Sequence, residues 1–295
     1  MNNFTSLRGA LRQKLRATKQ SNMNKNILIL GKGFIGERLQ KEFNCQIDGS
    51  MVNSFSDAQK LVKKYNPKII INCIGITGKN NVDDCENEID ATLLANSFIP
   101  LILAEVALRN NIKLVHISSG CIFNYDYKKN KAIDENSLDY FFKLFYSRSK
   151  IYSEKPLELL ARDYNILIAR IRIPLLNAKH PKNVLDKLLR YNKVIDMPNT
   201  ITYIPDFIEA IKHLIKIDAR GIYNIVNKGG LRYPDLMKVY QKYVPSCKFQ
   251  IIALNKLGLV RTNLLLSIRK LEKSGFKVRN INSVLDECVK EYLKS

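Results

Sequence analysis

The sequence lacks three features that would each have fixed a protein class. It has no apolar run that approaches the roughly 20 residues needed to cross a bilayer. Its six cysteines form no CxxC pair and no cysteine–histidine cluster with zinc spacing. Scattered thiols are typical of a reducing compartment without a disulfide framework. We therefore expect a cytoplasmic protein with no membrane partner and no metal.

Acidic residues are also scarce: 27 Asp and Glu stand against 48 Lys and Arg, a formal net charge of +21. Such a charge can indicate nucleic-acid binding. Here the lysines are spread along the whole chain, acidic residues interleave after residue 37, and no DNA- or RNA-binding motif accompanies them. We expect no specific nucleic-acid partner. A basic surface would instead attract polyanionic substrates such as nucleotides.

Residues 1–22 differ in composition from the rest of the chain. They contain five Lys or Arg and no acid, with Phe4, Leu7 and Leu11 at helical spacing. This pattern resembles a mitochondrial transit peptide. The alternative, which we favour, is a disordered basic leader upstream of a natural start at Met23.

From residue 25 onward, apolar runs alternate with amphipathic segments, which is typical of an α/β fold with a parallel sheet. Buried strands are predicted at 26–30, 68–75, 113–119, 166–173 and 221–227. Helices are predicted at 34–43, 57–65, 88–110, 146–162, 183–191, 205–217, 234–243, 262–273 and 282–294. Pro156 should kink or restart its helix because proline lacks the helical donor. We expect a doubly wound, Rossmann-type dinucleotide-binding domain over 23–174. A smaller substrate-binding lobe over 175–295 should be partly interleaved with it.

The residues GKGFIG, Gly31–Gly36, lie between the first predicted strand and the first predicted helix. In this context Gly31 makes the tight turn, Gly33 lets the backbone approach a pyrophosphate, and Gly36 lets helix pack on strand. The helix that begins at Phe34 and Ile35 offers free N–H groups to the phosphates. A glycine-rich turn without a ligand is the weaker alternative.

The type of dinucleotide is indicated by charges near this turn. No acid clearly ends the second strand to hold a ribose 2′-hydroxyl, and Asp48, the nearest candidate, lies in an uncertain strand. Lys32 could meet a 2′-phosphate instead. We predict NADP(H), with NAD(H) as the alternative. Asn72 and Gly75, at the end of the next strand, should border the cofactor.

The stretch YSRSK places Tyr146 and Lys150 four residues apart, on one face of a helix. The preceding predicted strand ends in Ser119. A lysine cation should lower the phenol pKa from about 10, so that Tyr146 exchanges a proton near neutrality. Ser119 can hydrogen-bond a substrate carbonyl, and Lys150 can also hold the nicotinamide ribose.

These elements are those of the extended short-chain dehydrogenase/reductases. The segments INCIGITGKNNVDDCE, SSGCIFNYD, FYSRSK, RIRIP, NVLDKLLRYNKVIDMPNTIT and GIYNIVNKGG closely resemble one group within them, from about residue 25 to about 245. That group is the bifunctional UDP-4-keto-6-deoxyglucose 3,5-epimerase/4-reductases of UDP-L-rhamnose synthesis. The dTDP-4-dehydrorhamnose reductases are similar more generally but lack the cysteine motif. The GDP-fucose synthases share the serine-x-cysteine arrangement.

The resemblance implies roles for two further residues. Cys121 would be the base of epimerisation and Lys187 its acid partner, acting on UDP-4-keto-6-deoxyglucose before NADPH-dependent reduction. His180 is an alternative acid, as a histidine serves in the fucose synthases. Taken alone, Cys121 could be a core thiol and Lys187 a solvated helix lysine.

The nucleotide-sugar contacts are less readable from the sequence. Asn183, Lys193 and Arg232 are candidates for the UDP diphosphate, and Asn80 for the sugar. Two other functions stay open: a monofunctional dTDP-4-dehydrorhamnose reductase, and a non-catalytic dinucleotide-sensing regulator. An intact set of Ser119, Tyr146 and Lys150 argues against the regulator, because sensing needs no proton donor. A homodimer also stays open.

Overall fold

The computed structural model describes residues 26–79, 81–129, 131–258 and 260–295. The predicted leader over 1–22 and the predicted sugar contact Asn80 lie outside these residues.

The centre of the molecule is a six-stranded parallel sheet in the order β2-β1-β3-β4-β5-β9. Its strands are β1 (Ile27–Leu30), β2 (Gln46–Asp48), β3 (Ile69–Asn72), β4 (Lys113–Ser119), β5 (Ile166–Ile171) and β9 (Gly221–Asn224). The strand order reverses between β1 and β3, and in open α/β sheets ligands bind beyond the carboxyl ends of the strands at such a point. The predicted α/β fold with a parallel sheet is confirmed.

Helices cover both faces of this sheet. Nine α-helices are assigned within the described residues: α1 (Phe34–Phe43), α2 (Phe55–Tyr65), α3 (Ile89–Arg109), α4 (Phe145–Leu160), α5 (Val184–Tyr191), α6 (Ile204–Lys216), α7 (Tyr233–Tyr243), α8 (Arg269–Lys273) and α9 (Ile281–Lys294). Alternate strand residues face opposite sides. Ile29 packs with α1 and α6, whereas Leu28 packs with α2 and α3. The sheet is therefore buried on both faces, which explains its continuous apolar strands.

Helix α3 corrects one expectation. It is long and apolar enough to cross a bilayer, so the expectation that no segment approaches that length is wrong for Ile89–Arg109. Of its most apolar window, 61% is buried inside the molecule. Length and composition are weak evidence for a membrane span, and the helix packs as a core helix. One π-helical turn, Leu94–Phe98, interrupts it.

The second lobe has its own core, formed mainly by α5, α7 and α9. Two small parallel pairs accompany it: β6 (Pro174–Leu175) with β8 (Thr202–Tyr203), and β7 (Lys193–Ile195) with β10 (Gln250–Ile252). After residue 174 the chain returns to the first lobe to supply α6 and β9. The two lobes are thus interleaved, and residue 174 separates only the first five strands from the later elements.

Helix α4 includes Pro156 and continues to Leu160, so the helix does not restart at this proline. The helix predicted at 262–273 is wrong in its first part: the helix is limited to α8, and residues 260–267 form neither a helix nor a regular strand. In this irregular run Leu264 N–H donates to the side-chain oxygen of Asn199, and Leu266 N–H to the Thr200 hydroxyl. Long-range hydrogen bonds of this kind override the helical apolar pattern of the segment.

Candidate active site

The glycine-rich turn has room for a pyrophosphate. A Cβ on Gly36 would stand 2.0 Å from the carbonyl oxygen of Gly31, and Gly31 itself has a φ of +102°. Beside Gly33, in contrast, a Cβ would meet no protein atom within 4 Å. Gly33 is the N-cap of α1, and no side chain caps the helix there. The first N–H groups of α1 are therefore free to bind phosphate oxygens in that open space.

The end of β2 corrects the view that no acid terminates the second strand, because β2 ends on Asp48. The Asp48 carboxylate is already engaged: it accepts the Ser50 N–H at 2.7 Å and the Tyr65 hydroxyl at 2.7 Å. These hydrogen bonds hold the pKa of Asp48 well below its usual value. The aliphatic stem of Lys32 lies beside Gly49, 3.0 Å from where a Cβ would stand. A cation, and not a free carboxylate, is thus available at this strand end.

Ser119, Tyr146 and Cys121 come together at the carboxyl end of β4. The Ser119 hydroxyl accepts the Cys121 N–H at 3.1 Å, which leaves its own proton free for a substrate oxygen. Helix α4 carries Tyr146, which packs with Cys85 and Cys121. The Ser147 hydroxyl on the same helix donates to the Cys121 carbonyl at 2.6 Å. The turn after β4 and the start of α4 are therefore fixed to each other.

Lys150 is a buried donor that the protein itself does not satisfy. It is only 4% exposed, yet its ammonium donates no hydrogen bond to any described residue. Burial lowers its pKa to about 8. A Cβ on Gly75 would stand 3.2 Å from the Lys150 Nζ, so a larger residue there would crowd the ammonium. A buried donor without a partner is costly. It fits a ribose hydroxyl of a dinucleotide that enters past Gly75.

The pKa of Tyr146 differs from the expectation. Burial raises it well above 10, the neighbouring Cys121 raises it further, and the Ser119 hydroxyl lowers it. Lys150 is not among the causes, so the predicted lowering by the lysine cation is wrong for the chain by itself. The phenol is protonated at neutral pH. It can therefore donate a proton to an alkoxide or enolate oxygen.

The two candidate acids occupy different surroundings. His180 stacks on Phe34 of the glycine-rich turn with ring centroids 4.3 Å apart, and its Nδ1 accepts the Lys182 N–H. Lys187 is half-buried, and its ammonium has no hydrogen-bond partner among the described residues. Burial lowers its pKa, and the cations of Lys182, Arg190 and Arg261 lower it further.

The three predicted diphosphate ligands differ in burial and in the hydrogen bonds that they already form. Asn183 is fully buried as the N-cap of α5, and its amide is used up by backbone groups of Leu176, Ala178 and Leu185. It has nothing to offer a diphosphate, which corrects that expectation. Lys193 is exposed at the start of β7. Arg232 is exposed and forms a two-point ion pair with Asp196.

As for Asn72, its amide oxygen accepts the Ile74 N–H and its nitrogen contacts the His116 ring at 3.1 Å. It shapes the turn that leads to Gly75.

Some residues that the sequence does not single out also line this region. Asn96, in the π-helical turn of α3, bonds both backbone groups of Ile76 and the Ser149 hydroxyl beside Lys150. Arg172 reaches the sulfur of Cys121 at 3.0 Å. Arg261 forms a two-point ion pair with Asp83. A π turn is a recurrent feature of functional sites, but nothing in a single sequence marks one. The doubled arginine of RIRIP is the only sequence signal for Arg172.

Comparison with known proteins places the chain in a family. A family model described as the RmlD substrate binding domain matches residues 25–224. A bifunctional dTDP-4-dehydrorhamnose 3,5-epimerase/dTDP-4-dehydrorhamnose reductase from Arabidopsis thaliana is 30% identical over 293 residues, which cover 93% of this chain and 96% of the relative.

A trifunctional UDP-glucose 4,6-dehydratase/UDP-4-keto-6-deoxy-D-glucose 3,5-epimerase/UDP-4-keto-L-rhamnose-reductase from the same plant is 32% identical over 188 residues. That match covers 62% of this chain but only 28% of the relative's length.

Solved structures have the same fold. The UDP-rhamnose synthase of Acanthamoeba polyphaga mimivirus superimposes with a TM-score of 0.82 at 23% identity, over 90% of this chain and 99% of that one. A dTDP-4-dehydrorhamnose reductase from Bacillus anthracis, in complex with NADP, gives a TM-score of 0.77 at 22% identity, over 90% and 98%. The family match over residues 25–224 and the full-length plant relative together show that this chain belongs to the RmlD substrate-binding domain family.

Proposed function

We propose that this chain converts UDP-4-keto-6-deoxy-D-glucose to UDP-L-rhamnose by 3,5-epimerisation followed by NADPH-dependent 4-keto reduction. The observation that carries the proposal is the meeting of a proton donor, a carbonyl-binding hydroxyl and a thiol at one strand end. Tyr146, Ser119 and Cys121 meet there, and the buried Lys150, which has no hydrogen-bond partner among the described residues, lies one helical turn after Tyr146 on α4. The names of the relatives, which combine epimerase and reductase activities on rhamnose precursors, support it.

Epimerisation requires acidic carbons and two proton-transfer groups. Carbons 3 and 5 flank the 4-keto group, so loss of a proton from either gives an enolate that Ser119 and Tyr146 can stabilise by hydrogen bonds. The Cys121 thiolate takes the proton, and the C–H electron pair moves into the enolate. Lys187 returns a proton to the opposite face. Burial and the neighbouring cations lower its pKa, which makes its ammonium a stronger acid than that of an exposed lysine. His180 is a poorer candidate because its ring is stacked on the glycine-rich turn.

Reduction uses the other members of the same cluster. Bound NADPH supplies a hydride to carbon 4. The chain's own part is to hold the carbonyl oxygen with Ser119 and to protonate it from Tyr146. Lys150 is placed to hold the nicotinamide ribose. Lys32, at the end of β2, favours a 2′-phosphate, and the engaged Asp48 disfavours NADH.

A second candidate is a reductase that acts on a dTDP sugar without epimerisation. The name of the full-length plant relative, which refers to dTDP-4-dehydrorhamnose, favours the dTDP nucleotide. The contact of Arg172 with the Cys121 sulfur favours the bifunctional reaction, because a core thiol needs no guanidinium.

Isotope exchange separates these candidates. The native protein, given the 4-keto sugar in deuterated water without NADPH, should exchange the protons at carbons 3 and 5. Cys121→Ser should exchange them at least about a hundredfold more slowly, because a serine hydroxyl supplies almost no anion at neutral pH. Cys247→Ser, which alters a half-buried thiol of the second lobe, is the matched control and should exchange normally. Native-rate exchange by Cys121→Ser would reject the epimerase part, and absence of exchange in the native protein would favour the plain reductase.

A further inference from the structure

Arg172 is a fully buried cation that directly follows β5 and points at Cys121. It is 1% exposed, and its Nη1 lies 3.0 Å from the Cys121 sulfur. The rest of the guanidinium is held by neutral groups. Nε and Nη2 donate to the side-chain oxygen of Asn199 at 3.1 and 2.7 Å, Nη1 donates to the Thr262 hydroxyl at 3.1 Å, and Nη2 also donates to the Thr262 carbonyl.

No carboxylate of the described residues pairs with this charge. Arg170, two positions earlier and equally buried, shows the usual arrangement: it forms an ion pair with Glu154 at 2.6 Å. A buried charge without a counter-charge is strongly destabilising. The protein therefore retains an uncompensated cation at this position, and the sulfur of Cys121 is the group in contact with it that can become an anion.

The other ionisable groups around Arg172 do not supply the missing negative charge. Burial raises the pKa of Tyr127 and that of Tyr233 to about 12, so both phenols are neutral at physiological pH. Tyr146 is protonated for the same reason. Arg261 is a further cation, and its charge is compensated by Asp83.

We propose that Arg172 is a positioning residue for the epimerisation base: its guanidinium contacts the sulfur of Cys121, fixes its direction and stabilises the negative charge that the sulfur carries when it takes a proton from the sugar. The proposal rests on the proposed function. Asn199 and Thr262 fix the guanidinium plane, so the sulfur meets a rigid donor and not a mobile one. When the thiolate accepts a proton from the sugar, the ion pair is lost. It re-forms when the thiol gives up that proton, so each turnover begins from the same arrangement.

Alkylation of the free protein tests this without any substrate. Iodoacetamide reacts with thiolates, and mass spectrometry follows the Cys121 peptide across pH. In Arg172→Met, alkylation of Cys121 at neutral pH should be about tenfold slower than in the native protein, because the sulfur anion loses the adjacent cation. Arg172→Lys keeps a cation but loses the planar guanidinium, so its alkylation profile should lie between that of the native protein and that of Arg172→Met. Cys247 in the same samples is the internal control and should not shift.

The outcomes distinguish this proposal from the proposed function. Identical Cys121 profiles in the native protein and in both variants would overturn the role of Arg172, whatever the exchange experiment shows. If Arg172→Met unfolds, which rapid alkylation of the buried Cys288 would reveal, Arg172→Lys decides alone. If the native protein fails to exchange carbon-bound protons while the profile still shifts, the ion pair stands and the epimerase function fails.

Discussion

At the residue scale, burial shifts the pKa values of Tyr146 and Lys150 in opposite directions. The buried phenol keeps its proton at neutral pH, because burial penalises the phenolate. The buried ammonium is held close to its titration point, with a pKa of about 8. One group can therefore give a proton, while the other can orient a cofactor hydroxyl.

Removal of the phenol proton donor should abolish most of the reduction. Tyr146→Phe keeps the ring, and with it the packing against Cys85 and Cys121. We expect NADPH affinity within a few fold of the native value and a kcat for 4-keto reduction lower by about 10²–10⁴. Steady-state kinetics and fluorescence titration with NADPH measure the two quantities. Reduction at the native rate would exclude Tyr146 as the donor.

The pH dependence should report Lys150. Its ammonium is present below about pH 8 and is lost above it. With NADPH as the varied substrate, kcat/KM reflects the free protein. It should be level below pH 8 and fall about tenfold per unit above it. Lys150→Arg, whose guanidinium does not titrate in this range, should remove that decline from whatever activity remains. A native profile that stays flat to pH 9.5 would contradict the assignment.

At the element scale, α4 carries the two candidate catalytic residues on one face and, one turn later, a residue that holds the helix to the sheet. Tyr146, Lys150 and Glu154 are spaced four residues apart along it. Glu154 accepts the Ser118 hydroxyl at 2.6 Å and pairs with Arg170 of β5. This buried pair ties the helix to the two strands that lie beneath the site.

Breaking that pair on one side should cost more than removing both partners. Glu154→Leu leaves the Arg170 charge buried and unpaired, so the free energy of unfolding should fall by about 3–5 kcal/mol. Glu154→Leu combined with Arg170→Met should cost clearly less than the sum of the single changes. Urea unfolding of the four proteins measures the coupling. Strictly additive costs would mean that the pair does not anchor α4.

The turn between β1 and α1 and the end of β2 together should set the choice of dinucleotide. We expect the native protein to use NADPH at least as well as NADH, because Lys32 is free there and Asp48 is engaged. Lys32→Glu replaces attraction of a 2′-phosphate by repulsion. It should shift the ratio of kcat/KM values toward NADH by roughly tenfold to a hundredfold. A strong native preference for NADH would refute the expectation.

The elements that pattern alone can predict are those whose side chains follow one period. The strand over 113–119 and the helix over 34–43 have the bounds that their patterns predict. The segment 262–273 does not, because its apolar spacing suits a helix, whereas Asn199 and Thr200 accept the N–H groups of Leu264 and Leu266 outside any helix. The prediction that Asn183 binds a diphosphate is wrong for a similar reason. A sequence does not show that its side-chain amide is already hydrogen-bonded to backbone groups at the start of α5. Tyr146 and Lys150 can be predicted from the sequence, because two residues four apart on a helix share a face whatever the rest of the chain does.

At the scale of the whole molecule, the segment after β10 contacts groups that are far apart in the sequence. Arg261 in that segment holds Asp83, which lies in the turn after β3. Its neighbour Thr262 holds Arg172. Lys182 of the second lobe reaches the Thr77 hydroxyl at 3.2 Å. Residues 261 and 262 thus link Asp83, in the turn after β3, to Arg172 and through it to Cys121.

Loss of the Arg261–Asp83 ion pair should loosen the turn after β3, and the chain supplies a matched control. Arg232 forms the same two-point ion pair, with Asp196, but both partners lie in the second lobe. We expect Arg261→Met to raise KM for the nucleotide sugar roughly tenfold, about 1.4 kcal/mol of binding free energy. It should also speed amide hydrogen exchange over residues 81–87. Arg232→Met should leave both within twofold, because an exposed pair within one lobe contributes little. If Arg232→Met weakens substrate binding as much as Arg261→Met does, the diphosphate binds at Arg232 as the sequence suggests. The Arg261–Asp83 ion pair would then have no special part in substrate binding.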